Sequence, residues 1–174
     1  RSVHETLFWR RRRHHLPHGA ANARPLRRTD PRGGVALTGP APHPNVELVR
    51  RLYAALEAVD LEAILEIFDP EVEVFQTPEL PWGGDFHGHD GLGRFFGLLR
   101  ENITSKVTIQ TVYAAGDEVV QIGRTAGTVN ANGAPFDVQE MHLLTVRDGR
   151  VVRFEAHIDT PAMLEALQAT APPG

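Results

Sequence analysis

Four stretches of alternating apolar and polar residues fill most of the second half of the chain, and they constrain its fold more than any other feature. They run over about 105–115, 118–129, 135–146 and 151–158. Successive side chains of a β-strand point to opposite faces, so each stretch predicts a strand with one buried face. The last two are joined by Asp148-Gly149, a pair typical of a tight hairpin. The pattern therefore predicts a meander of long antiparallel strands.

Helical periodicity precedes and follows these strands. Asn45, Asp60 and Asp90 are each placed to cap a helix, and Thr160-Pro161 opens a closing one. Three helices, then strands, then a short C-terminal helix predict an α+β domain with the helices covering one face of the sheet. The predicted inward residues are Val49, Leu52, Tyr53, Leu56, Leu61, Ile64, Leu65, Phe68, Leu92, Phe95, Phe96, Leu99, Met163, Leu164 and Leu167.

The segment between the second and third helices is harder to assign. Asp69-Pro70 predicts the end of the second helix. Val72 and Val74 alternate with acidic residues and predict a short first strand. Residues 77–91 are rich in Pro and Gly and predict a loop.

The charge of the chain is sharply divided. Residues 1–42 hold nine arginines against two acidic residues, whereas the remainder holds nine Lys and Arg against twenty Asp and Glu. We therefore predict a disordered basic arm (1–43), one folded domain (44–170) and a short tail (171–174). The arm is open to three interpretations: a polyanion-binding tail, a targeting peptide or an extension without function.

Composition excludes several classes of function for the folded domain. Its acidity disfavours nucleic-acid binding except through the basic arm. No apolar run approaches the roughly 18 residues that cross a membrane. The chain has no cysteine, and hence no disulfide, thiolate nucleophile or cysteine-based zinc site. These features fit a cytoplasmic location.

Glu140 and His142 are the strongest candidates for chemistry. Strand alternation places them on one face with Val138, Leu144 and Val146, about 7 Å apart along the strand. Polar groups on an apolar face are costly unless they are paired or used. We interpret them either as an acid–base pair lining a cavity or as a mutually satisfied structural pair.

The final hairpin allows two registers. A two-residue Asp148-Gly149 loop would place His142 opposite Glu155. A three-residue loop with a glycine bulge would place His142 opposite Phe154 and Glu140 opposite Ala156. The second register is preferred because it gathers the apolar residues on one face. Those residues are Val138, Leu144, Val146, Val152, Phe154, Ala156 and Ile158.

Several short segments, in this order, resemble a known family. They are Leu52-Tyr53-Ala54-Ala55-Leu56, Asp60-Leu61, Ile67-Phe68 and Val146-Arg147-Asp148-Gly149-Arg150-Val151-Val152. Over about 45–170 the chain resembles the SnoaL-like, ketosteroid-isomerase-like branch of the nuclear transport factor 2 superfamily. The resemblance implies a cone-shaped curved antiparallel sheet wrapped around three N-terminal helices. It also implies a pocket at the open end and a homodimer.

Only some of the catalytic residues of known family members have a matching residue in this chain. The ketosteroid isomerase tyrosine falls on Leu52 and its base near Gln76 or Thr77. Its oxyanion-binding aspartate falls on Met141 or, with a one-residue difference in hairpin loops, on His142. The polyketide cyclase histidine matches His142, but its acid–base aspartate falls on Ala156. The epoxide hydrolase set falls near Gly123, Thr125 and Ala156. No complete catalytic set of the family is present.

Two functions follow as expectations. In the first, a cofactor-independent cavity enzyme moves a proton on an apolar, oxygen-bearing small molecule by isomerisation, cyclisation, dehydration or epoxide opening. Glu140 is the base, His142 donates to an oxyanion and Tyr53 assists orientation. The expected ligand-binding wall is Trp82, Phe75, Phe154 and Phe96.

In the second, the chain is a non-catalytic ligand-binding or dimerisation module whose cavity is filled by phenylalanines, Phe75, Phe95, Phe96, Phe136 and Phe154. Here Glu140 and His142 satisfy each other and have no chemical role.

A metal site is not expected. His87-Gly88-His89 lies between Asp85 and Asp90, but no regular element places a third ligand beside the two histidines.

Overall fold

The computed structural model describes residues 43–170, so the predicted arm over 1–42 and the tail at 171–174 lie outside the described residues. The helices are α1 (Pro44–Ala58), α2 (Leu61–Ile67), α3 (Gly88–Asn102) and α4 (Thr160–Gln168). The strands are β1 (Phe68–Gln76), β2 (Gly84–His87), β3 (Ile103–Ala115), β4 (Glu118–Val129), β5 (Pro135–Arg147) and β6 (Arg150–Ile158).

All six strands form one open sheet in the order β2-β1-β6-β5-β4-β3. The antiparallel meander from β3 to β6 is confirmed. The expectation of a wholly antiparallel sheet is wrong at one pair, because β1 runs parallel to β6. A parallel neighbour needs a long crossover, and here α3 and the first three strands of the meander provide it. The fold class, α+β, is confirmed.

Two of the predicted helix caps are wrong. The α1 helix begins before Asn45: His43 is its N-cap, and its side chain accepts a hydrogen bond from the Asn45 backbone N–H. The α3 helix begins at Gly88, which leaves Asp90 in the first turn, where a carboxylate favours the positive end of the helix dipole. Asp60 and Asp159 do cap α2 and α4, each through a carboxylate oxygen.

The segment after α2 also differs from expectation. Phe68 ends that helix and starts β1, which continues through Asp69-Pro70, so the proline does not separate two elements. The predicted loop over 77–91 contains β2, whose four residues pair with the end of β1. Four residues are too few for an alternation signal, which explains why β2 was not predicted.

The β5–β6 hairpin combines a two-residue turn with a bulge. Arg147 pairs with Arg150, so Asp148-Gly149 is the turn, and both residues have positive φ (49° and 75°) as a type I′ turn requires. The three-residue loop is therefore wrong. A bulge follows at Val152 of β6, because Val146 pairs with Val151 whereas Thr145 pairs with Arg153.

Because of that bulge, the apolar residues of both hairpin strands point to the inner face. His142 lies opposite Ala156 and Glu140 opposite Ile158, two residues further along β6 than predicted. The inward set is otherwise as predicted, except that Val151 is fully buried and Val152 is half-buried. The two-residue turn and the bulge each move the pairing of β5 with β6 by one residue in the same direction. Together they move it by two residues, so each side chain stays on its predicted face.

The apolar core lies between the helices and one face of the sheet. The α3 helix packs on β1, α1 packs on β3 and β4, and α4 packs on β5. Trp82, in the turn before β2, is 1% exposed. Gly83 makes this turn possible, because a Cβ there would lie 1.8 Å from the carbonyl oxygen of Thr77. Within residues 43–170 no helix is long and apolar enough to cross a membrane.

Candidate functional site

Four buried polar side chains form one connected cluster on the inner face of the sheet. The Tyr53 hydroxyl lies 2.5 Å from His142 Nδ1 and 3.3 Å from Gln121 Oε1. Gln121 Nε2 donates to Glu140 Oε1 at 3.2 Å. Glu140 Oε2 lies 3.6 Å from His142 Nε2. The expected neighbours Glu140, His142 and Tyr53 are therefore together, and Gln121 joins them.

Strand register explains how these residues meet. Gln121 lies directly opposite His142 across the β4–β5 pair, and Gly123 lies opposite Glu140. A Cβ at position 123 would lie 2.6 Å from Gln121 Nε2 and 2.4 Å from the Thr108 carbonyl oxygen. The glycine therefore leaves the Gln121 amide free to reach Glu140. Tyr53 comes from the inward stripe of α1, and its ring is parallel to the His142 ring, with centroids 6.0 Å apart.

Burial controls the protonation of the cluster. Desolvation raises the pKa of Glu140 from its usual 4.5 to about 7, although the Gln121 hydrogen bond acts in the opposite direction. Desolvation, with a smaller contribution from the charge on His157, lowers the pKa of His142 from 6.5 to about 3. Burial and the neighbouring Glu140 charge raise the pKa of Tyr53 well above its usual range. At neutral pH the imidazole and phenol are uncharged, and Glu140 is the group that titrates.

The contacts fit two proton arrangements. With Glu140 ionised, His142 Nε2–H points to the carboxylate and the Tyr53 hydroxyl donates to Nδ1. With Glu140 protonated, its O–H points to Nε2, Nδ1–H points to the Tyr53 oxygen, and the Tyr53 hydroxyl donates to Gln121 Oε1. Gln121 Nε2 donates to Glu140 in both. Glu140 therefore keeps the same neighbours in either charge state, whereas the Tyr53 hydroxyl changes its acceptor.

Glu140 and His142 line a cavity of about 90 Å³. The floor is buried, whereas Phe96 and Leu99 of α3 and Ser105 of β3 are more exposed and mark the mouth. The full lining consists of Tyr53, Leu56, Gln76, Trp82, Phe95, Phe96, Leu99, Ile103, Ser105, Val107, Thr125, Glu140, His142, Phe154, Ala156, Ile158 and Met163. Most of these side chains are apolar.

Three of the four residues expected to form the ligand wall, Trp82, Phe96 and Phe154, line this cavity. Phe75 does not. Val74 and Gln76 point inward, so strand alternation turns Phe75 to the other face, where its ring lies 6.2 Å from that of His157. The expected position of Phe75 in the ligand wall is therefore wrong, because the alternation of β1 places its side chain on the face away from the cavity.

The second polar group considered from the sequence lies elsewhere. His89 Nε2 donates to the Phe68 carbonyl oxygen at 3.2 Å, which gives this histidine a structural partner. Across residues 43–170, no three His, Asp or Glu side chains come together in a way that could hold a metal ion.

Arg153, Glu155 and His157 lie on the outer face of β6, where they alternate with the buried Phe154 and Ala156. Arg153 pairs with Glu73 of the neighbouring β1 at 2.7 Å and with Glu155 at 2.6 Å. These contacts give the outer face an ion pair between neighbouring strands.

A family model described as a SnoaL-like domain matches residues 49–154 of the chain. The chain belongs to the SnoaL-like family. This confirms the resemblance seen in the sequence, and the matched region contains every residue of the polar cluster.

The chain is similar to a mycobacterial protein and to several solved structures, among others. The protein Rv0034 of Mycobacterium tuberculosis is 30% identical over 128 residues, which cover 72% of this chain and 96% of that protein. The crystal structure of an NTF2-like protein from Burkholderia pseudomallei superposes with a TM-score of 0.68 at 27% identity, covering 73% of this chain and 99% of that one. TerC, co-crystallised with polyporic acid, gives a TM-score of 0.67 at 27% identity, covering 73% and 100%.

Two polar residues of the site were not predicted as site residues. Gln121 alternates with Val119 and Thr125 on the inner face, but only the β4–β5 register shows that it faces His142. Gln76 is 2% exposed and ends β1 at the cavity. The alternation from Val72 and Val74 was the available signal for Gln76.

Proposed function

We propose that this protein abstracts a proton from carbon next to the carbonyl of a small, mainly apolar molecule, with Glu140 as the base. The observation that carries the proposal is a buried carboxyl with a pKa of about 7 beside a largely apolar cavity. A base whose pKa lies near the working pH is half ionised there and is stronger than an ordinary carboxylate. The TerC complex with polyporic acid supports an oxygen-bearing ligand for this fold.

The step balances without a cofactor. The Glu140 carboxylate accepts the proton, the electrons of the C–H bond form a C=C bond, and the carbonyl electrons move to oxygen to give an enolate. When a deuteron from D2O replaces the abstracted proton on Glu140, delivery of that deuteron to the same carbon gives exchange. Delivery of the proton to a conjugated carbon gives isomerisation. Each Glu140 oxygen has only one neighbour in the cluster, which leaves a lone pair for this transfer.

The contacts favour a revised role for His142. Nδ1 is bonded to Tyr53 and Nε2 faces Glu140, so both ring nitrogens are engaged within the cluster. We therefore assign His142, Tyr53 and Gln121 as positioning residues that hold the base, instead of assigning His142 as the oxyanion donor. Both proton arrangements of the cluster fit this role, because Glu140 keeps its partners before and after it takes the proton.

The cavity favours a small substrate. Its 90 Å³ is well below the roughly 300–1,000 Å³ of pockets that hold drug-sized ligands. A single-ring ketone is a better candidate than a steroid or a folded polyketide. Even this requires the half-buried side chains at the mouth, Leu56, Phe96 and Leu99, to rotate. In the cone-shaped arrangement that we propose, these residues form the rim of the open end.

The proposal predicts a pH-dependent exchange reaction. The purified protein should exchange the methyl protons of acetophenone for deuterium in D2O, at a rate that rises through an apparent pKa of about 7 as Glu140 ionises. Loss of the methyl signal in proton NMR measures the rate, with the same buffer without protein as background. Exchange that never exceeds background for acetophenone and other single-ring enolisable ketones would refute the reaction.

The small cavity also supports a second candidate, a ligand-binding module without catalysis. In that case Glu140 and His142 only satisfy each other, and ligands bind without exchange of their protons. Measuring binding and exchange on the same ketone separates the two functions.

We further propose a homodimer formed through the outer face of the sheet. An apolar patch there, which we call the outer patch, includes residues on three adjacent strands. Tyr113, Ile122 and Met141 are 46%, 37% and 39% exposed. Val120 and Leu143 pair beside them and are half-buried. Exposed apolar residues clustered in this way are typical of an association surface.

Replacing Met141 with lysine should therefore give a monomer, because the charge would be buried without a partner at the interface. Sedimentation velocity measures the change in mass. Gln139→Lys is the matched control, since Gln139 is exposed on the same face of β5 but outside the patch. A wild type that is monomeric at high micromolar concentration would contradict the dimer.

A further inference from the structure

Gln76 is the buried polar residue that the proposed reaction leaves without a role. It ends β1, is 2% exposed and lines the cavity. Within residues 43–170 its Nε2 has no hydrogen-bond partner, and no other buried side-chain nitrogen or oxygen shares this condition. A buried amide donor without an acceptor destabilises a folded protein, so a residue of this kind is usually retained for a ligand or a bound water.

The other buried glutamine provides an internal comparison. Gln121 is 0% exposed, and both ends of its amide are bonded within the cluster, to Tyr53 and Glu140. Its donors are committed to holding the base. Gln76 is the amide that remains available to an incoming molecule.

The sheet places the free amide opposite the polar cluster with a gap between them. Gln76 of β1 pairs with Ala156 of β6, Ala156 pairs with His142 of β5, and His142 pairs with Gln121 of β4. Neighbouring strands are about 4.8 Å apart, so the backbones of Gln76 and His142 are separated by roughly 10 Å along this row. The residue between them has only a methyl side chain. Ala156 therefore forms the floor of a space with a donor on one side and the base cluster on the other.

We propose that Gln76 binds the carbonyl oxygen of the ligand through Nε2–H, with the ligand lying over Ala156. The inference rests on the proposed function for the reaction at Glu140, and it adds the group that holds the oxygen. As Glu140 takes the proton from carbon, negative charge develops on this oxygen, and the amide N–H stabilises it. The ligand must then carry an acceptor oxygen on the side remote from the abstracted proton. A ketone, an aldehyde or an ester meets this requirement.

Two matched probes test this assignment. Acetophenone has the acceptor oxygen, and α-methylstyrene has a CH₂ group in its place with nearly the same shape. The wild type should bind acetophenone about tenfold more tightly, as expected for one good hydrogen bond in a buried site. The infrared carbonyl stretch of carbonyl-¹³C acetophenone should shift to lower frequency on binding. A wild type that binds the two probes equally would overturn the assignment without any variant.

Gln76→Met then identifies the donor. Methionine has a similar length and no N–H, so the tenfold preference should disappear and the carbonyl stretch should return to its value in an apolar solvent. The urea midpoint of the free protein should stay the same or rise, because the unpaired donor is gone; a structural glutamine would show a fall. Gln139→Met makes the same chemical change at an exposed position and should alter neither readout.

The outcomes separate this inference from the proposed reaction. Preferential binding of acetophenone that depends on Gln76, without proton exchange, would refute the base role of Glu140 and retain Gln76 as the carbonyl site. Exchange at Glu140 with an unchanged preference in Gln76→Met would refute the role of Gln76 and retain the reaction. A bound water that satisfies Gln76 would also remove the preference for the carbonyl in the wild type, and this result would overturn the inference.

Discussion

Replacing Glu140 with glutamine should abolish proton exchange while the fold is retained. Glutamine has nearly the same shape and can still bond to Gln121 and His142, but its amide cannot accept the proton from carbon. General-base catalysis contributes about 10²–10⁴-fold to a rate, so exchange should fall by that factor or to background. The measurement is the deuterium exchange of acetophenone at pH 8, where Glu140 of the wild type is ionised.

The same substitution should stabilise the protein at pH 8. An acid whose pKa is raised in the folded state contributes stability that is fully present below the unfolded pKa and is lost as the pH rises through the folded pKa. For Glu140 this window extends from 4.5 to about 7, which corresponds to about 3 kcal/mol at most. Urea unfolding at pH 8 should therefore show Glu140→Gln to be more stable than the wild type.

Glu71→Gln is a suitable control because Glu71 is an exposed carboxylate on β1. It should leave both exchange and stability unchanged. Retained exchange in Glu140→Gln would mean that another group is the base. A loss of stability at pH 8 would mean that the Glu140 carboxylate is satisfied in the folded protein and has no raised pKa.

Strand alternation is the reason that the core of this site could be predicted from the sequence. It placed Glu140 and His142 on the inner face without knowledge of any neighbouring strand, and helical periodicity did the same for Tyr53. Both rules are local, so they hold wherever the element forms. Gln121 belongs to the same cluster, but its contact depends on the β4–β5 register, which the residues of β4 do not determine alone.

The β5–β6 hairpin shows how a correct face can follow from an incorrect turn. The apolar pattern requires one bulge in addition to a two-residue turn, and a bulge within the turn or a bulge at Val152 satisfies it equally. The pattern therefore determined which residues point inward, but it did not determine their partners on the next strand. Only the positive φ of Asp148 and the pairing of Arg147 with Arg150 distinguish the two hairpins.

The segment from Phe68 to Gly91 was the least predictable because its structure depends on distant residues. A parallel pairing with β6 holds β1, and β6 lies about 80 residues later in the chain. The short β2 strand exists only as the partner of β1. Consequently the alternation of Gln76 with Val74 indicated its face of β1, but not its position at the cavity.

The second large effect that we expect concerns acid stability, and His142 should control it. A base with a lowered pKa in the folded state contributes stability that is present above the unfolded pKa of 6.5 and is lost as the pH falls through about 3. This amounts to about 5 kcal/mol over the whole window. Between pH 4.5 and 6.5 the contribution of Glu140 to stability falls as the pH rises, whereas that of His142 increases. In the wild type the two contributions should therefore nearly cancel.

Single variants should show separately how Glu140 and His142 make the free energy of unfolding depend on pH. Urea unfolding between pH 4.5 and 6.5 should show the stability of Glu140→Gln rising with pH relative to the wild type. The stability of His142→Gln relative to the wild type should fall as the pH rises. Each of the two changes should be about 1.4 kcal/mol per pH unit. Taking differences from the wild type removes the contribution of the other carboxylates, and His87→Gln, at an exposed position, controls for the loss of a histidine. Slopes of the same sign in both variants would contradict the opposite pKa shifts of the two groups, because an acid with a raised pKa and a base with a lowered pKa must give slopes of opposite sign in this window.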